Sequence, residues 1–156
     1  PQRLGLAHPS ICPYGAFATA DGALVLISIQ NEREWVEFCA KFLEEPQLPQ
    51  REGFQTNVIR VAHRAAVDAH IGTAFARLTR EQAAAKLRAA NTAYGFVNDV
   101  AAFSRHPALR RATVETPNGP VSIAAPPVLS SDGPRELGPL PAIGEHSAAI
   151  RAEFAG

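Results

Sequence analysis

The sequence contains no methionine, one tryptophan and only two cysteines in 156 residues. Two cysteines, Cys12 and Cys39, make no disulfide framework and carry no metal-ligand spacing, so both are expected as reduced thiols. Charge of either sign is missing in excess: Lys and Arg number 15, as do Asp and Glu. Nucleic acid and anionic membrane are therefore not expected as main partners, since both draw on a basic surplus. The longest apolar stretch, Ala23 to Ile29, is far too short to cross a bilayer. The opening residues lack a charged segment followed by an apolar one, so a cytoplasmic setting is expected. What is present is 46% hydrophobic residues against 19% charged ones, with 13 prolines and 11 glycines. That composition builds a core connected by many turns.

Residues 1 to 15 hold three prolines and two glycines and read as an irregular opening. A hairpin follows, with Phe17 and Thr19 on one strand, Asp21-Gly22 as a two-residue type I′ turn, and ALVLISI as a buried strand. Asn31 then stands as an N-cap with Glu34 three residues on. Trp35, Phe38, Cys39 and Phe42 fall at i, i+3, i+4 and i+7, the stripe of an amphipathic helix. Two prolines and a glycine break the segment after Glu44. A second helix is predicted from Asn57 or Val58 to Leu78, with Ile59, Ala62, Ala66, Ile71 and Phe75 roughly on one side and an interruption at Gly72. Thr79 and Gln82 form a second capping box ahead of Ala83, Leu87 and Ala90. Tyr94 to Val97 reads as a short strand, and Asp99 caps a brief helix to Phe103. A second hairpin pairs Thr113–Thr116 with Val121–Ala124 across Pro117-Asn118-Gly119. Residues 126 to 144 read as an extended connection, and Ala148 to Phe154 as a last helix. The class is α+β, a small mostly antiparallel sheet with packed helices.

Single motifs carry little chemistry. His63 and His70 stand seven apart on one predicted helix, about 10 Å, too far to share a metal ion; no metal site is expected. His8-Pro9 and His106-Pro107 read as turn formers. No phosphate-binding loop, dinucleotide fingerprint or nucleophile elbow is present. Glu44-Glu45 and Arg110-Arg111 read as solvated pairs.

The order of the motifs is more specific. HPSICPYGAFATADGALVLISIQNEREWVEFC is followed by NVIRVAHR, a helix ending LRAAN, AYGFVNDVAAFSRHPALRR, VETPNGPVSIAAPP and LPAIGEHSAAI. From about His8 to Gly156 this succession resembles the C-terminal part of the class III CoA-transferases, the family of formyl-CoA transferase and L-carnitine CoA-transferase. The resemblance implies transfer of CoA from an acyl-CoA to a free carboxylic acid through an aspartyl-CoA intermediate. It also implies interlocked homodimers, a coenzyme A thioester as substrate, and no tightly bound cofactor. Members have a large domain that carries the nucleophilic aspartate. No aspartate of this sequence matches it, so no catalytic residue is expected here. By similarity, residues 1–125 form the family's small domain, and 126–156 return toward the large one.

The related α-methylacyl-CoA racemases place a proton-transferring glutamate where this sequence has Asn31, and a neutral amide is no general base. Glu32, one residue on, points about 100° around the helix. The expected role of the chain is a lid and acid-binding wall that keeps water from the hydrolysable intermediates. Tyr14 and Gly15, Asn31, and Tyr94 and Gly95 are the candidate wall residues, expected on turns beside the sheet; each also has an ordinary structural reading. ISIQNEREW and VNDVAAFSRHP resemble the branch that handles short dicarboxylic acyl groups. The alternatives are a racemase or epimerase fragment, and a non-enzymatic docking domain of a split protein.

Overall fold

A computed structural model describes residues 4–133 and 136–155. The fold is α+β, and the chain forms two compact units, Pro1–Asn98 and Asp99–Gly156.

The first unit is built on a three-stranded antiparallel sheet, ordered β1 (Tyr14–Ala18), β2 (Leu24–Ser28), β3 (Ala93–Val97). The central strand pairs Tyr14 with Ser28 on one side and Ser28 with Ala93 on the other. Side chains directly opposite share a face, and faces alternate along a strand. Gly15, Ile27 and Tyr94 therefore lie on one face together with Phe17, Val25 and Phe96. Tyr14, Ser28 and Ala93 lie on the other with Ala16, Leu26 and Gly95.

Helices cover the first of these faces. They are α1 (Glu32–Lys41), α2 (Asn57–Ala62), α3 (Arg64–Phe75) and α4 (Arg80–Ala89). The stripe expected on α1 is buried in full: Trp35, Phe38, Cys39 and Phe42 join Val67, Ile71 and Phe75 of α3 and Leu87 of α4 against Phe17, Val25 and Ile27. Phe75 stacks on Phe17 at 5.2 Å and meets Phe42 at 4.7 Å between ring centres. The other sheet face leaves Leu24 and Val97 exposed.

Four local expectations are corrected. The Asp21-Gly22 turn is not type I′: only Gly22 has positive φ (+78°), Gly22 N–H donates to Thr19 O, and Thr19 N–H donates to Ala23 O. A three-residue loop, Ala20 to Gly22, replaces the two-residue one, the next commonest hairpin solution. The long helix breaks at His63 rather than Gly72. His63 (φ −106°, ψ 22°) leaves helical geometry as its ring Nδ1 meets Ile59 O at 2.9 Å, while Gly72 lies inside α3. Tyr14 and Gly15 sit within β1, not on a turn, because the β1–β2 pairing runs past Tyr14 to a bond from Ile29 N–H to Pro13 O; Tyr94 and Gly95 lie in the strand expected over Tyr94–Val97 and so not on a turn either. In the second hairpin the first strand lies two residues earlier, Arg111–Val114. Thr116 opens the turn instead, its hydroxyl bonded to Gly119 O.

The second unit holds that hairpin, β4 (Arg111–Val114) and β5 (Val121–Ala124), with α5 (Val100–Ser104) and α6 (Ser147–Phe154). Asp99 caps α5, its carboxylate accepting from Ala102 N–H at 2.6 Å. The extended connection expected over 126–144 includes residues 134 and 135, which lie outside the described ones. Val114 is the one buried large hydrophobic side chain among the described residues of this unit.

Candidate functional site

β2 runs antiparallel to both neighbours. Its C-terminal end therefore lies beside the starts of β1 and β3; Tyr14, Gly15, Asn31 and Tyr94 lie toward that end of the sheet, and Gly95 sits at the middle of β3, opposite Leu26. They do not share a face. Tyr14 and Gly95 belong to the uncovered face, Gly15 and Tyr94 to the helix-covered face, and Asn31 follows β2 at the start of α1.

Their environments differ accordingly. Tyr14 is half-buried, with its ring stacked on His8 at 5.2 Å. Gly95 faces open space: a side-chain carbon there would meet nothing within 4 Å. Gly15 is buried, with Ala7 3.8 Å from the position of a missing Cβ. Tyr94 packs against the core, and its hydroxyl accepts from Arg88 Nη1 at 2.8 Å. Asn31 caps α1: Oδ1 accepts from Glu34 N–H at 3.0 Å, and Nδ2 donates to Glu34 Oε1 at 2.7 Å. Gln30 N–H, one residue before the cap, donates to Glu34 Oε2 at 2.8 Å. An amide nitrogen carries two protons, so the cap uses one and leaves the other.

The residues that organise this end include three that the sequence motifs did not single out. Asn57, Arg60 and Arg64 lie on the α2–α3 segment and hold the loop from His8 to Pro13. Asn57 Nδ2 donates to Ser10 O at 2.8 Å and its Oδ1 accepts from Cys12 N–H at 3.0 Å. Arg64 Nη2 donates to His8 O and Ile11 O. Arg60 is only 1% exposed, although charged side chains are almost never fully buried without partners. Its Nε donates to Cys12 O at 2.7 Å, and its Nη1 to Gln55 O at 2.9 Å and Glu32 Oε2 at 2.8 Å. Its guanidinium lies 4.7 Å from the centre of the Trp35 ring. The available signal was spacing: positions 57, 60 and 64 fall at i, i+3 and i+7 in NVIRVAHR, three polar residues along one stripe that also holds Val61.

Glu32 is engaged as well, between Arg60 and the backbone N–H of Asn57 at 2.8 Å. Desolvation pushes its pKa up, but the Arg60 hydrogen bond, the Asn57 N–H and the Arg60 charge outweigh that, and the carboxyl titrates below its ordinary value. A carboxylate so held is a poor proton acceptor. The thiols are no better as nucleophiles: burial, the largest cause, raises Cys12 to about 11 and Cys39 to about 12. A groove beside β1, lined by Leu4, Leu6, Gly15, Ala16, Leu24 and Asp68, is mainly apolar. Desolvation raises Asp68 there, and a carboxylate already in the groove disfavours a second one. Among the described residues no group of three or more His, Cys, Asp or Glu is placed to hold a metal ion. His70 instead meets Glu45 at 2.9 Å.

The sequence profile of CoA-transferase family III matches residues 1–147. The chain belongs to that family. It is similar to an acyl-CoA transferase of Fusarium pseudograminearum, 32% identical over 98% of this chain and 35% of that protein. It is also similar to a succinate–glutarate CoA-transferase of Agrobacterium fabrum, 30% identical over 99% of this chain and 40% of that one. A solved CaiB/BaiF family protein from Brucella suis superposes with a TM-score of 0.73 at 31% identity, covering 98% of this chain and 40% of its own. The chain thus spans well under half the length of the relatives it matches. No described helix is long and apolar enough to cross a membrane.

Proposed function

We propose that this chain is the acid-binding wall and cover of a CoA-transferase whose nucleophilic aspartate lies on polypeptide outside these 156 residues. The reaction exchanges CoA between an acyl-CoA and a free acid. The aspartate attacks the thioester carbonyl, giving a mixed anhydride and releasing CoA thiolate. The thiolate attacks the aspartyl carbonyl and frees the first acid, leaving an aspartyl-CoA thioester. The second acid then repeats the exchange in reverse, so the aspartate is regenerated.

One observation carries the reading. The end of the sheet that carries Tyr14 and leads into Asn31 offers neutral hydrogen-bond donors, while its carboxylates are already engaged, Glu32 by Arg60 and Glu34 by the α1 cap. Such a surface can bind an anionic acid and cannot itself attack a thioester. The remaining Asn31 Nδ2 proton and the Tyr14 hydroxyl are assigned to the acceptor carboxylate. Gly95, without a side chain, lets the acid approach the backbone of β3. Gly15 and Tyr94 support the wall from the covered face. The substrates are short dicarboxylic acids, a reading supported by the names of the Agrobacterium relative and of mouse and human ones, each a succinate– or succinyl-CoA–glutarate CoA-transferase. Residues 1–125 act as the small domain and 126–156 as the return to the large one. An interlocked homodimer and a cytoplasmic setting belong to the same reading and rest on the family resemblance.

The test uses the complete transferase that carries this chain, with succinyl-CoA and glutarate and with glutaryl-CoA formation as the readout. A hydrogen bond to a charged group contributes about 1.5–3 kcal/mol. Asn31→Ala and Tyr14→Phe should therefore each raise the KM for the acid about tenfold or more, with the KM for the acyl-CoA little changed. Unaltered kinetics in both variants would remove these residues from the site. Deuterium uptake at the acyl α-carbon without CoA exchange would instead show the racemase alternative.

A further inference from the structure

We propose that Arg60 is a positioning residue for the acid-binding wall, a role that rests on the wall reading above. Two wall residues on the two arms of the β1–β2 hairpin have to keep a fixed separation to grip one carboxylate. Arg60 joins the two segments that carry them. Its Nε holds Cys12 O, two residues before Tyr14, and its Nη1 and Nη2 hold the carboxylate of Glu32, one residue after Asn31. Pro13 O receives Ile29 N–H between these same two segments, so Arg60 closes the ladder beyond its last backbone bond.

The guanidinium is fixed on every side. Gln55 O takes a further Nη1 bond, the Trp35 ring lies beneath it, and Trp35 Nε1 is tied to Phe54 O at 2.8 Å. Arg60 can shift only if the loop or α1 shifts with it. A planar fork with five donors reaches these acceptors at once, whereas an ammonium offers three donors at a single point. Lysine at position 60 keeps the charge and loses the simultaneous grip. Interiors near native density do not absorb such a change smoothly, so the separation of Tyr14 and Asn31 should change with it.

The experiment compares Arg60→Lys, Glu32→Gln, Asn31→Ala and the double variant Arg60→Lys/Asn31→Ala in the complete transferase. A purely structural role lowers the amount of active enzyme, and so the apparent kcat, and leaves both KM values alone. The positioning role predicts a KM for the acid raised at least fivefold by Arg60→Lys, with the KM for the acyl-CoA within twofold. It also predicts coupling: added to Asn31→Ala, Arg60→Lys should raise the acid KM by no more than a further twofold. Glu32 is half exposed, so Glu32→Gln tests the same link should Arg60→Lys not fold, and it should raise the acid KM at least twofold.

A raised acid KM in Asn31→Ala alone, with wild-type KM values in Arg60→Lys and Glu32→Gln, overturns the positioning role and leaves the wall intact. Wild-type KM values in Asn31→Ala as well overturn the wall, and the positioning role with it.

Discussion

At the residue scale, the chain's most informative position is Asn31, at the start of α1. Asn31 caps the helix through Oδ1 and one Nδ2 proton, which leaves the other proton for the donor role proposed above. Its capping role was legible because Asn31 and Glu34 stand three apart ahead of an apolar stripe. The partner of Glu32 was not legible, because a fully buried arginine is an exception that composition does not reveal, and its acceptors are backbone carbonyls 5 to 48 residues away. The Arg60–Glu32 pair has a pH signature in this chain itself. Glu32 titrates below its ordinary value of 4.5 when folded, so the folded state binds fewer protons there than the unfolded chain. The stabilisation is therefore complete above that pH and disappears as pH falls through the lowered folded value. Thermal melts should show wild type above Glu32→Gln at pH 7, with the gap closing toward pH 3. A gap independent of pH would show that the ion pair contributes nothing to folding.

At the scale of elements, helix caps were the best-read features because their chemistry is local. Thr79 and Gln82 form the full reciprocal box, with Thr79 Oγ1 accepting from Gln82 N–H and Gln82 Oε1 from Thr79 N–H. Thr79→Ala should lower stability by about 1 kcal/mol, read as a lower urea midpoint at unchanged slope; an unmoved midpoint would contradict that role for α4. Glycine is the residue whose sequence signal marks an interruption of the long helix, yet Gly72 lies inside α3. The determinant is instead the ring of His63, which folds back to Ile59 O and packs 3.6 Å from where a Cβ on Gly53 would sit. That contact joins segments no local pattern connects. Tyr14 and Gly15 read as a turn for a related reason. The ladder that makes them strand residues comes from pairing with β2, and pairing reach depends on tertiary register. The same register separates Tyr14 from Tyr94, on opposite faces, although the PYG and AYG motifs look alike.

At the scale of the whole molecule, the two units differ in how they are built. The first buries an aromatic core of Trp35, Phe38, Phe42 and Phe75 under its sheet. In the second, Val100, Phe103, Leu140, Ile143 and Phe154 are all more than half exposed. The chain itself spans 35–40% of the relatives it matches. The α+β class and family were readable because motif order survives where single motifs are weak, whereas the proposed division of labour between wall and nucleophile involves residues that this sequence does not include. That division is tested most directly by trapping the covalent intermediate. The complete transferase is incubated with succinyl-CoA, treated with hydroxylamine to convert the aspartyl-CoA thioester into a hydroxamate, digested and mapped by mass spectrometry. The hydroxamate should fall on an aspartate outside these 156 residues; finding it on any Asp or Glu within them would contradict the account.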